Sequence, residues 1–221
     1  MIKVVVFDLD DTLFPEHQFV ISGFSAVSHW LATKYSVPDF FEVACHFFQQ
    51  GIRQNIFNLA LLELRGEYEP TIIQELVDIY RQHVPTISLY DDAKWAINYF
   101  KKYKKLGIIT DGYLPTQQRK IEALDINSCF DVIIYSELYG RENWKPSPLS
   151  YQKIMEFLGC QGNECVYIGD NPVKDFVTAR KLDWLTIQIC REGGEYCNIT
   201  PQKSHEANLK IKSLMELKNL L

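Results

Sequence analysis

The chain has 221 residues, 47% of them apolar and 23% charged, with a formal net charge of −5. A composition this apolar excludes wholesale disorder, and the acidic balance disfavours nucleic acid as a partner held through phosphate neutralisation. No run reaches the roughly 18 unbroken apolar residues that a membrane span needs. The opening MIKVVVFDLD is too short for a secretory signal and has no small-residue cleavage site, so a cytoplasmic location is expected.

Residues 2–7 form a Val-rich run closed by aspartates, the pattern of a strand buried on both faces of a parallel sheet. DDTLFP then reads as a turn. Between residues 15 and 87 apolar side chains recur at helical spacing (Phe19, Phe24, Val27, Leu31; Phe41, Ala44, Phe48; Ile56, Leu59, Ala60; Ile72, Leu76, Ile79). Pro38, Gly51, Gly66 and Pro70 punctuate these runs, which predicts about four helices and no strand. After Tyr90 the texture alternates. Helices are predicted over 91–103, 115–124, 147–158, 172–182 and 205–220, and strands over 105–110, 132–136, 165–169 and 185–189. Such alternation implies a parallel sheet with helices on both faces. The six cysteines, at 45, 129, 160, 165, 190 and 197, are expected to be free thiols. No close His pair accompanies them, so zinc is not expected.

Four places in this chain share one address. Asp8 and Asp10 follow the first strand, Thr110 ends the second, Lys145 precedes a helix, and Asp170 and Asp175 follow a later strand. Ligands of open parallel sheets bind at the carboxyl ends of strands, so these residues are expected to converge. Carboxylates gathered there repel one another by about 4 kcal/mol per pair at about 4 Å and an effective dielectric near 20. They need a cation, and an all-oxygen set of this kind suits Mg²⁺. With Lys145 added, the cluster is a natural seat for a phosphoryl group.

VVVFDLDDTLF, IITDG, WKPSP and YIGDNPVKD, in that order, resemble the four signatures of the haloacid dehalogenase-like superfamily. The helical insertion sits where that family places a helical cap. The resemblance implies a Rossmann-like α/β core, residues 1–14 and 88–221, with an α-helical cap at 15–87. It further implies that Asp8 is a nucleophile and Asp10 a general acid and then base. Thr110 and the amides of Asp111 and Gly112 would bind phosphoryl oxygens, and Lys145 would offset charge. Asp170 would hold Mg²⁺ with Asp8 and the main-chain carbonyl of Asp10. Asp175 would be a further ligand or orient Lys145. An aspartate at position 10 points to phosphate esters, because halide departure needs no acid.

Two departures from the family pattern stand out. Four residues separate Gly140 from Lys145 where relatives often have two, and Asp111 stands where many carry Asn. The expected activity is hydrolysis of a small soluble phosphomonoester, such as a sugar phosphate, acylneuraminate phosphate, phosphoglycolate or nucleoside monophosphate. A phosphosugar mutase or a non-catalytic phospholigand-binding protein of the same family are the alternatives. His17 and Arg53 are candidate substrate contacts from the insertion, though a surface role accounts for each. KKYKK at 101–105 reads as a solvated helix end.

Overall fold

Six parallel strands form one sheet: β1 Val4–Phe7, β2 Lys105–Thr110, β3 Val132–Tyr135, β4 Cys165–Gly169, β5 Leu185–Ile189 and β6 Leu209–Ile211. They lie in the order β3-β2-β1-β4-β5-β6. The computed structural model describes every residue, Met1–Leu221. β1 is fully buried and is flanked by β2 and β4, with Phe7 opposite both Ile108 and Ile168. The strand order reverses at β1, so the chain leaves β1, β2 and β4 side by side at their carboxyl ends.

The chain forms two compact units, Met1–Glu16 with Ser88–Leu221, and His17–Ile87. Helices α1 Glu16–Tyr35, α2 Phe40–Gln49, α3 Ile56–Arg65 and α4 Thr71–Gln82 account for the insertion. Their apolar stripes meet in one cluster that includes Phe24, Val27, Leu31, Phe40, Ala60, Leu61 and Leu76. Each fully buried Leu or Phe there contributes about 1.5–3 kcal/mol relative to exposure. No helix in the chain is long and apolar enough to cross a membrane.

In the sheet unit, α5 Asp91–Phe100 leads into β2, and α6 Leu114–Ala123, α7 Leu149–Leu158 and α8 Val177–Lys181 follow β2, β3 and β4. One core cluster gathers Val4, Val6, Ile109, Tyr151, Ile154, Tyr167, Phe176 and Trp184. Tyr151 is fully buried between the edges of Tyr167 and Trp184, at centroid distances of 5.3 and 5.6 Å. Its hydroxyl donates to the carbonyl of Asp175 at 2.8 Å, which ties the core to the loop after β4. All six cysteines are free thiols.

Two predicted helices are corrected. The segment 205–220 is no helix: Leu209–Ile211 adds a sixth strand beside β5, and Leu214–Asn219 is a 3₁₀ turn. The exposed edge of β5 takes up Leu209 and Ile211 as ladder partners, opposite Ile187 and Ile189. Asn208 fixes that register by accepting from the amide and hydroxyl of Thr186, at 2.9 and 2.8 Å. Ser213 and Glu216 then cap the final turn reciprocally. The segment 172–182 becomes helical only from Val177. Asn171 and Asp175 take the loop amides on their side chains first, which competes with a helix start.

Candidate active site

The ends of β1 and β4 bring Asp8 and Asp170 together, and the loop after β4 turns back to add Asp175. Carboxylate oxygens of the three lie within 4.8 Å of one another. The Lys145 ammonium is fully buried among them. It lies 2.5 Å from Asp8 Oδ1, 2.9 Å from Asp175 Oδ1 and 2.9 Å from the Tyr167 hydroxyl. Asp175 Oδ2 accepts from the amide of Asn171 at 3.0 Å, while its buried Oδ1 faces the Lys145 ammonium as an ion pair and has no hydrogen-bond partner.

One lysine does not balance three carboxylates. Burial pushes Asp8 up to about 6 even though Lys145 pulls it down. Half-buried Asp170 is pushed up to about 9 by burial and by the charges of Asp8 and Asp175. Burial lowers Lys145, but Asp175 and Asp8 outweigh it and hold the ammonium well above the ordinary lysine range. The cluster is short of positive charge and offers only oxygen donors. Both facts fit a hard divalent cation.

Asp10 emerges from the same turn and is held from α6. Its Oδ1 accepts from Lys120 Nζ at 2.6 Å and its Oδ2 from Gln117 Nε2 at 2.9 Å. The same Gln117 amide group lies 2.5 Å from Thr110 Oγ1, at the end of β2. Thr110, Gln117 and Lys120 are all buried. Asp111 does not stand free: its Oδ1 accepts the Lys145 amide at 3.1 Å, and its Oδ2 lies 3.4 Å from Lys174 Nζ. Gly112 follows with φ of +127°, a conformation that side-chain-bearing residues rarely adopt.

All eight residues singled out on the sheet unit therefore meet at one end of it. The other two candidates differ. His17 is exposed at the start of the insertion, and Arg53 is engaged locally, donating to the carbonyl of Phe48 at 2.7 Å with its guanidinium 4.2 Å over the Phe48 ring. Four site residues escaped the reading: Gln117, Lys120, Tyr167 and Lys174. Gln117 and Lys120 left a trace, since they lie one helical turn apart and Lys120 adjoins the core residue Ile121. Nothing in the sequence marks Tyr167 as more than a strand residue.

Gly169 is the last residue of β4, and a Cβ there would collide with the Asp175 carboxylate. Gly169→Ala is expected to displace Asp175 and loosen Lys145. Thermal melting should fall by several degrees, corresponding to about 1–3 kcal/mol. Unchanged melting would show that the loop yields without cost.

A family model described as haloacid dehalogenase-like hydrolase matches residues 5–189. Glyceraldehyde 3-phosphate phosphatase of Methanocaldococcus jannaschii is 29% identical, over 100% of this chain and 97% of the relative. Human N-acylneuraminate-9-phosphatase is 26% identical, over 100% and 94%. Among solved structures, magnesium-bound YfnB of Bacillus subtilis superposes with a TM-score of 0.69 at 18% identity, covering 100% of this chain and 98% of the other. A 2-haloacid dehalogenase of Pseudomonas syringae gives 0.67 at 20%, covering 100% and 98%. The four motifs, the reversal of strand order at β1 and a family match across most of the sequence agree: the chain belongs to the haloacid dehalogenase-like hydrolases.

Proposed function

We propose that the protein is a Mg²⁺-dependent phosphatase of small soluble phosphomonoesters, acting through an aspartyl-phosphate on Asp8. The observation that carries this reading is Asp8, buried and seated on Lys145, with Asp10 two residues further on and held separately by α6. A carboxylate stripped of water and fixed by one cation is set to attack rather than to be solvated. Asp8 attacks phosphorus as the P–O ester bond breaks, and Asp10 delivers its proton to the leaving alkoxide. Asp10 then takes a proton from the water that attacks the same phosphorus, and Asp8 is freed. In the present arrangement both Asp10 oxygens accept from donors, which is how a base is held. To donate a proton, one oxygen has to leave Lys120 or Gln117.

Asp8, Asp170 and the main-chain carbonyl of Asp10 would hold Mg²⁺. Bound there, the ion supplies positive charge that offsets the phosphoryl oxygens. Asp175 orients Lys145 through their ion pair, and its unpartnered Oδ1 is also open to the ion as a further ligand. The helical insertion is assigned the part of a cap that selects the ester. Sugar phosphates and acylneuraminate phosphates are the favoured class, because relatives matching along the whole chain are phosphatases of glyceraldehyde 3-phosphate and N-acylneuraminate 9-phosphate.

A panel of phosphorylated metabolites assayed for inorganic phosphate tests the reading. Release is expected with Mg²⁺, a loss of at least about 100-fold in EDTA, and recovery on adding Mg²⁺ back. Indifference to chelation would remove the metal from the scheme. An isomerised sugar phosphate without free phosphate would make the protein a mutase.

A further inference from the structure

We infer that Lys174 is a second phosphate-binding cation of this site, held in reserve by Asp111 until a phosphoryl group arrives. The inference rests on the phosphatase reading and adds a residue to it. Lys145 is poorly placed to bind phosphate by itself. Its ammonium already donates to Asp8 and to the Tyr167 hydroxyl and forms an ion pair with Asp175 at 2.9 Å, and its side chain is fully buried. Its charge is committed to Asp8 and Asp175.

Lys174 is placed otherwise. It lies in the loop after β4, immediately before Asp175, with its amide bonded to the carbonyl of Asn171 at 3.3 Å. Its side chain is 33% exposed, and its ammonium acts on Asp8, favouring the charged carboxylate. The one carboxylate it pairs with, Asp111, is 3.4 Å away, beyond the usual N–H···O length. The contact is a charge pairing that leaves donors for another oxygen.

Asp111 is what makes the pairing informative. It is 5% exposed and sits in the Thr110–Gly112 loop, where a carboxylate facing a phosphate dianion would oppose binding. One oxygen is fixed on the Lys145 amide, at 3.1 Å, and only the other meets Lys174. On this arrangement Asp111 is a positioning residue. It joins the loop after β2 to Lys145 and to the loop after β4, and it keeps Lys174 at the mouth of the site.

The test compares Lys174→Met, Lys174→Arg and Lys174→Met/Asp111→Asn with wild type. Each is measured for KM and kcat on an ester that wild type hydrolyses, and for inhibition by inorganic phosphate. Lys174→Met should raise KM and the phosphate inhibition constant together by about tenfold or more, with kcat within about threefold. Lys174→Arg should stay within about threefold of wild type on all three. Adding Asp111→Asn to Lys174→Met should restore part of the lost phosphate affinity, because the carboxylate left unpaired is removed. A surface ion pair with no part in binding would move none of these constants. Lys174→Met with unchanged KM and phosphate inhibition overturns the inference while leaving the phosphatase reading intact. A double variant no better than Lys174→Met overturns the part given to Asp111. Wild type that releases no phosphate from any ester overturns both readings. Should the Met variant fail to fold, Lys174→Gln takes its place with the same expected changes.

Discussion

Asp8→Asn is expected to lower phosphate release by about 10⁴-fold or more, because on the proposed mechanism it removes the atom that bonds to phosphorus. The same substitution should not harm the fold. Burial pushes the Asp8 carboxyl up to about 6 in the folded protein, from an ordinary value of 3.8. A carboxyl raised in the folded state binds its proton more tightly there, so stability is lost as pH rises from about 4 through 6. The cost is fully present at pH 8 in the absence of metal. Asparagine mimics the protonated form and escapes this cost. In EDTA the variant should therefore resist urea better than wild type at pH 8, with the gap narrowing towards pH 5. Turnover near the wild-type rate would exclude Asp8 as nucleophile. Marked destabilisation at pH 8 would mean that its pairing with Lys145 outweighs the burial of charge.

Lys145→Met should do the reverse, removing both activity and stability. It strands Asp8 and Asp175, each beside the other and with Asp170 close by. Leaving buried charges without their partner costs about 3–5 kcal/mol. Because Asp175 and Asp8 raise the lysine above its ordinary range, its contribution is fully present at neutral pH and is lost only in strong alkali. Urea denaturation at pH 7.5 reads the stability loss and phosphate release reads the chemistry. A variant that unfolds at the wild-type midpoint would show that the buried carboxylates simply take up protons. Lowering the pH should ease the expected instability, since Asp8, already raised by burial, becomes neutral.

Much of this arrangement is legible in the residues themselves. Val4–Phe7, Lys105–Thr110, Cys165–Gly169 and Leu185–Ile189 are short Val/Ile/Leu-rich runs ended by Gly or polar residues, and burial on both faces leaves them no other pattern. Asp8, Thr110 and Asp170 follow from strand ends, because a parallel sheet puts those ends on one edge. What stays hidden depends on contacts far apart in sequence. Lys120 reads as a surface lysine until Asp10, 110 residues earlier, is seen to take its ammonium. Asp111 reads as a repelling charge until Lys174 is seen opposite it. The helical spacing over 205–220 was overruled by an unpaired strand edge that local periodicity does not register. The helix predicted over 172–182 would put Asp175 in its first turn, but its carboxylate holds the amide of Asn171 in a loop instead.

The central place of β1 has a consequence for biosynthesis. Of the six strands this one is made first, yet its two neighbours begin at Lys105 and Cys165. Through most of translation, the segment that carries Asp8 and Asp10 has no sheet to join. Contacts of such wide separation are slow to close and leave apolar segments open to misassociation. The catalytic centre is thus among the last features of the nascent chain to take shape. A product truncated before Cys165 would carry the proposed nucleophile but lack Asp170 and Asp175, and on the proposed reading could not act on a phosphate ester prematurely.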